Sequence, residues 1–260
     1  MRQTNFIVRV VNCSTILLTL FLTSGCEDGA GGDSRIAEAI ADPARLAEDI
    51  EADERRKPAR VMSFFEIKPG MTVLDLFSGG GYYTEMLSHI VGKTGKVYAH
   101  NNQAYIDYQS GTLEKRFTDG RLQNVERINV QANDVDLPDG SLDAALMILT
   151  YHDFYYVSDE IGWPKIDVPA LLAQLCSAMK AGAILGVVDH QAAPGSGKDS
   201  AQPLHRIESV FVRQELEDSC FEFVAASDVL ANPEDDYSKF MGAEGIKGKT
   251  DRFVFKFKKK

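Results

Sequence analysis

The 260-residue chain predicts an α/β fold: a mainly parallel, seven-stranded sheet with helices on both faces. Three observations carry this. Short apolar runs alternate with helical-period segments from residue 72 onward, the pattern of strand, crossover and strand. The stretch VLDLFSGGGYYTE (73–85) reads as a strand entering a glycine turn that opens a helix. With an N-terminal leader set aside, the length suits one large domain with a substantial core better than two compact ones.

The leader comes first. Arg2 and Arg9 precede an apolar run around Ile16 to Leu22, too short for a comfortable membrane span, and Leu22-Thr23-Ser24-Gly25-Cys26 ends it with small residues before a cysteine. This resembles a bacterial lipoprotein signal over 1–25, in which Cys26 becomes the lipidated first residue; a plain cleaved signal peptide is the alternative. The expected location is extracytoplasmic, anchored through Cys26 and facing the periplasm, or else secreted and soluble. Residues 26–33 are glycine-rich and acidic without apolar periodicity and read as a tether, leaving 34–260 as the folded domain.

Ile36, Ala37, Ile40, Leu46, Ala47 and Ile50 follow helical spacing with a start at Asp42-Pro43, and Val61, Met62, Phe64 and Phe65 form a second short helix closed by Pro69-Gly70. Strands fall at 72–77, 95–100, 126–131, 143–150, 183–189, 221–227 and 252–258, and helices near 81–91, 103–117, 168–180 and 205–219. The last strand alternates Phe253, Phe255 and Phe257 with Val254, Lys256 and Lys258, one face packing and the other guarded by charge.

The formal charge is −10. Removing 1–25 takes away Arg2 and Arg9 and no acid, leaving 26 basic against 38 acidic residues, or −12. Nucleic-acid binding, which needs a basic face, is excluded on that balance. Of the four cysteines, Cys176 and Cys220 belong to the folded domain. An oxidising compartment permits them to pair; nothing in their spacing brings them together, and two separate buried thiols is the reading adopted.

Gly79, Gly80 and Gly81 permit positive backbone angles and close approach of a ligand, and the helix that follows presents free amides. Asp75 lies in the apolar strand where a carboxylate orders the turn or reaches a ligand. The acid-apolar-x-x-Gly-x-Gly arrangement, the strand GKVYAHN, the segment NDVDLPDGSLDAALMIL and the helix-turn-strand LCSAMKAGAILGVVDH, in this order, resemble the class I S-adenosylmethionine-dependent methyltransferases from about residue 60 to the end, and more narrowly an exported group of predicted methyltransferases. The resemblance implies a Rossmann-like sheet with an antiparallel last strand, and S-adenosyl-L-methionine as cofactor. It implies that Asp75, Gly79, Gly80 and Gly81 frame the methionine portion, that Asn101 stands where an acid usually holds the ribose, and that Asp134 accepts from the adenine amino group with Val135 beside the ring. Phe77 replaces the first glycine of many members.

In such sheets the site lies beyond the carboxyl ends of the strands. Two of those ends are rich in reactive groups: Thr150 to Tyr156, and Asp189-His190. Methyl transfer is an in-line displacement that needs an aligned nucleophile and, for a protonated acceptor, a base. His152 and His190 are the candidates, since neutral imidazole is available near pH 7. Tyr151, Asp153, Tyr155 and Tyr156 are the candidate substrate residues; with Phe154 and Trp163 these tyrosines line a pocket for a planar acceptor or form a packed lid. No two-histidine helical spacing or cysteine set points to a metal. Loop 191–206 reads as a mobile cover, and its GSGK is not a phosphate loop. The functional expectation is methyl transfer to a small-molecule acceptor with no protein partner; the alternative is a non-enzymatic extracytoplasmic binding protein on the same scaffold.

Overall fold

The computed structural model describes Met1 and residues 30–260. Cys26 and the leader 1–25, apart from Met1, lie outside the described residues. Helix α1 (Ala30–Ala41) begins inside the segment expected to be tether. It is followed by α2 (Ala47–Arg56) and α3 (Pro58–Phe65), which share a left-handed Lys57 between them; Pro58 opens α3 at a position whose N–H would lack a partner in any helix.

The alternation then proceeds as β1 (Thr72–Asp75), α4 (Tyr82–Val91), β2 (Lys96–Asn101), α5 (Gln103–Arg116), β3 (Val125–Asn129), β4 (Leu142–Ile148), α6 (Val168–Ala178), β5 (Met179–His190), α7 (Ala201–Leu204), α8 (Ser209–Asp218), β6 (Phe221–Ser227) and β7 (Arg252–Lys259). The seven strands form one sheet in the order β3-β2-β1-β4-β5-β7-β6. β1 to β5 pair in parallel, and β7 inserts antiparallel to both β5 and β6. The expected Rossmann-like sheet with its antiparallel closing strand is therefore present.

Alternate residues of the central strands enter opposite cores. Leu74, Ala145, Leu185 and Phe257 pack with α6 and α8, whereas Val73, Val97, Leu146 and Val254 pack under α1, α3 and α4. Both faces being covered explains why the middle of β4, Ala144 to Ile148, is apolar without alternation.

Three expectations need correction. Cys176 and Cys220 are joined by a disulfide, with Cα atoms 6.1 Å apart; α6 and the turn after α8 lie side by side, a proximity that sequence spacing does not disclose. The helix expected over 205–219 is broken: His205 turns left-handed at φ 49° after α7, and α8 starts at Ser209. Loop 191–206 is tied down, because the Gly195 and Gly197 N–H groups donate to the two carboxylate oxygens of Glu208, each at 2.8 Å.

Candidate functional site

β1 ends at Asp75 and the chain turns sharply through residues with positive φ: Phe77 (54°), Gly79 (58°) and Gly81 (82°). For Phe77 this is a costly conformation, and its surroundings hold it. The Phe77 N–H donates to His100 Nδ1 at 3.3 Å, and the ring lies 4.8 to 6.0 Å from those of His100, Tyr105, Trp163 and Phe154. His100 Nε2 lies 3.0 Å from the Val130 carbonyl, which fixes the tautomer with the proton on Nε2. Burial lowers its pKa to about 4.

Behind the turn sits a buried charge network. A Cβ at Gly81 would come within 2.7 Å of Arg116 Cδ, so the glycine lets this arginine approach. Arg116, fully buried at the end of α5, donates to the Gly80 carbonyl, to Glu85 of α4 and to Asp49 of α2 (2.6 Å). Arg121 also reaches Glu85. In front of the turn there is space: a Cβ at Gly79 meets nothing within 4 Å. That space belongs to a cavity of about 440 Å³ whose lining includes Asp75, Gly79, Gly80, Tyr105, Thr150 and His190 together with the cations Arg55, Arg56, Lys247 and Arg252. Asp75 accepts the Thr84 hydroxyl at 2.6 Å; burial raises its pKa to about 6, against the pull of that hydrogen bond and of Arg116. Arg56 stacks over the Tyr82 ring, and Arg252 has its Nε buried without a partner.

A second cavity of about 650 Å³ adjoins the first and shares Tyr105, Tyr108, Leu149 and Met241 with it. Its walls are Trp163, Tyr156 and Phe240, with His152, Asp153 and His205 among them. His152 is clamped: Nδ1 lies 2.7 Å from Asp189 Oδ1 and Nε2 lies 3.2 Å from Asp153 Oδ1. Burial opposes its charge, but the two carboxylates outweigh burial and raise the pKa to about 10. His190, whose Nδ1 meets the Thr250 hydroxyl at 2.6 Å, is pushed well below the usual histidine range by burial and by the charge on His152. The expectation of a neutral imidazole near pH 7 thus fits His190 and not His152.

The family model for protein-L-isoaspartate (D-aspartate) O-methyltransferase matches residues 43–135, the segment carrying the glycine turn. A methyltransferase from Aquifex aeolicus described as S-adenosylmethionine-dependent aligns over 86% of this chain and 97% of its own, at 27% identity and a TM-score of 0.54. The chain has the class I S-adenosylmethionine-dependent methyltransferase fold, and the family-model match with this likeness supports methyl transfer as its activity. Two more distant structures share the fold: geranyl diphosphate C-methyltransferase from Streptomyces coelicolor A3(2), at 13% identity over 85% of this chain and 89% of that one with a TM-score of 0.56, and an S-adenosylmethionine-dependent methyltransferase from Mesorhizobium loti, at 14% over 80% and 100% with 0.54. No curated protein matches this methyltransferase in sequence.

The residues present fit S-adenosylmethionine at the glycine turn, where bare backbone at Gly79, the start of α4 and the arginines opposite face one cavity. They do not meet every expectation from the resemblance. Asn101 is 3% exposed and commits its side chain to the turn, accepting from the Gly79 N–H and donating to the Gly79 carbonyl, both at 2.9 Å. Val135 is in the core, and neither it nor Asp134 lines either cavity. Gly81 backs the turn against Arg116 and does not line the cavity.

Of the substrate candidates, Asp153 and Tyr156 line the second cavity. Tyr151 is fully buried with its hydroxyl on Glu215, and Tyr155 also donates to Glu215, so both lie off the cavity and neither is placed to touch a substrate there. Sequence reasoning missed Tyr105, whose hydroxyl donates to Asp153 Oδ2 at 2.7 Å, and it missed Arg116, His205, Phe240 and Arg252. Tyr105 had a readable signal, since it sits in the first turn of the helix after β2, on the site's face of the sheet.

Proposed function

We propose that this methyltransferase transfers the methyl group of S-adenosylmethionine to a small planar acceptor held in the aromatic cavity. The observation that carries the reading is the shared wall: the cavity in front of Gly79 and the cavity walled by Trp163, Tyr156 and Phe240 meet at Tyr105 and Leu149. Both volumes fall within the roughly 300–1,000 Å³ range of small-ligand pockets. The match to the protein-modifying family ends at Val135, before β4 and everything that builds the acceptor side after it, so that family's acceptor does not transfer to this chain.

When bound, the cofactor supplies an electrophilic methyl on a sulfonium. The protein contributes alignment of donor and acceptor. Asp75, Gly79 and Gly80 would hold the methionine half, and Arg56 and Arg252, which line the same cavity, would supply positive charge for its carboxylate. Trp163 and Tyr156 stack on the acceptor, which Asp153 orients. His190 lines the cofactor cavity but, with its pKa pushed well below the usual range, is no proton acceptor near neutral pH, which favours an acceptor whose nucleophile needs no base here; His152 with Asp189 positions Asp153.

The leader supports export of the protein, with Cys26 as lipidation site and the domain facing the periplasm. The Cys176–Cys220 disulfide agrees with an oxidising compartment. The test is calorimetric titration of the full chain with S-adenosylmethionine and S-adenosylhomocysteine. Micromolar or tighter binding supports the reading, and the absence of heat from a folded sample sinks it.

A further inference from the structure

The second cavity is acidic. Asp107, Asp153 and Glu160 line it, and no lysine or arginine does. At its wall three metal-binding atoms converge: His152 Nε2, Asp153 Oδ1 and His205 Nδ1 lie within 4.8 Å of one another. Asp153 Oδ1 is 3.2 Å from the first nitrogen and 3.3 Å from the second. An ion about 2.1 Å from each ligand in tetrahedral geometry sets its ligands about 3.4 Å apart, a spacing that both distances from Asp153 Oδ1 already match.

We infer that His152, Asp153 and His205 form a binding site for a divalent transition-metal ion on the wall of the acceptor cavity.

The surrounding hydrogen bonds are those such a site needs. A metal-bound imidazole usually gives its other nitrogen to a carboxylate, which fixes the tautomer and aims the ring. His152 does this through Nδ1 to Asp189, itself fully buried and fixed by the backbone N–H groups of His152 (2.8 Å) and His190 (2.7 Å). Asp153 is steadied through its second oxygen by the Tyr105 hydroxyl. His205 is aimed by the left-handed break between α7 and α8, and its ring lies 4.5 Å from Tyr156 and 5.4 Å from Phe240.

Two imidazoles and one carboxylate suit zinc, manganese or ferrous iron better than magnesium or calcium, which prefer oxygen alone. Three protein ligands leave at least one coordination position facing the cavity, the arrangement of sites that bind a small molecule rather than closed structural sites. The ligand class taken there is a small molecule with an oxygen or nitrogen donor atom. Metal binding itself does not depend on the methyl-transfer reading.

The test titrates the full chain with Co²⁺, reading its visible ligand-field absorption, and with Zn²⁺ in competition with a chromophoric chelator. One saturable equivalent is expected. Tyr105→Phe removes only a supporting hydrogen bond and weakens binding by about 10- to 100-fold; His205→Ala weakens it further, and His89→Ala, remote on α4, leaves it unchanged. His205 is partly exposed on a loop, so its variant carries the test if Asp153→Asn fails to fold. Absence of saturable binding by the folded wild type overturns the site. So does affinity that survives His205→Ala, the result expected if the ion sits elsewhere, for example on the Cys13 or Cys26 thiols.

Discussion

Asn101 and Gly79 hold each other by two hydrogen bonds, the Gly79 N–H donating to the Asn101 carbonyl oxygen and the Asn101 amide donating to the Gly79 carbonyl, both at 2.9 Å. Only a side chain that is both donor and acceptor closes this pair, and a carboxylate lacks the donor. Here is a physical reason for an asparagine where the resemblance implies an acid. Asn101→Asp leaves the Gly79 carbonyl without its partner and faces it with a like partial charge. Affinity for S-adenosylhomocysteine should fall about tenfold, roughly 1.4 kcal/mol. Tighter binding on calorimetry would instead mean that the acid reaches the ribose.

Gly79 faces open space at φ 58°. A valine there fills the volume assigned to the cofactor and strains the turn as well. Gly79→Val should abolish S-adenosylhomocysteine binding, while far-ultraviolet circular dichroism still reports a folded chain. Unchanged affinity in a folded variant removes the turn from the site.

Arg116 bridges Asp49, Glu85 and the Gly80 carbonyl from a fully buried position. Arg116→Met keeps much of the side-chain volume but leaves Glu85 with Arg121 alone. Urea unfolding should show a loss of about 3 kcal/mol, near the low end for breaking a buried pair.

The disulfide closes a loop with its ends 44 residues apart. Chain entropy puts its contribution at about 4 kcal/mol. Cys176→Ser with Cys220→Ser should lower the unfolding midpoint, and a reductant should lower that of the wild type but not that of the double variant. Equal sensitivity of both proteins argues against the bond.

His100 gives a pH signature. Its folded pKa, about 4, lies below the ordinary histidine value of 6.5, so the unfolded chain binds the proton more tightly. The stability this represents is present above pH 6.5 and is lost as pH falls through 4, about 3 kcal/mol in all. His100→Gln retains a donor and an acceptor but does not titrate. Its stability should fall less steeply than wild type between pH 6.5 and 4; parallel curves place the acid sensitivity elsewhere, for instance on His190.

The parts of the site legible in the sequence are those written in contiguous residues. An apolar strand, an acid and three glycines specify β1 and its turn locally, and β6 falls at the expected 221–227. The aromatic run after β4 was less readable, because it forms a 3-10 turn at His152–Tyr155. That winding sends His152, Asp153 and Tyr156 to the cavity and turns Tyr151 and Tyr155 toward Glu215. Composition alone does not say which aromatic goes where. His205 is hidden for another reason: helical spacing covers it, whereas the chain turns left-handed there and sets its ring against Tyr156. Asn101 was recognised by position, but its partner across 22 residues was not.

Tyr105 stands in the wall of both cavities, packs on Phe77 and Trp163, and ties Asp153 by its hydroxyl. Whatever shifts this ring from one side changes the shape offered on the other. A ligand in one cavity would in this way be linked to a ligand in the other, and linkage of this kind is reciprocal: each would alter the affinity for its companion by the same factor. Any coupling between the two cavities thus runs through a single phenol, whichever ligand binds first.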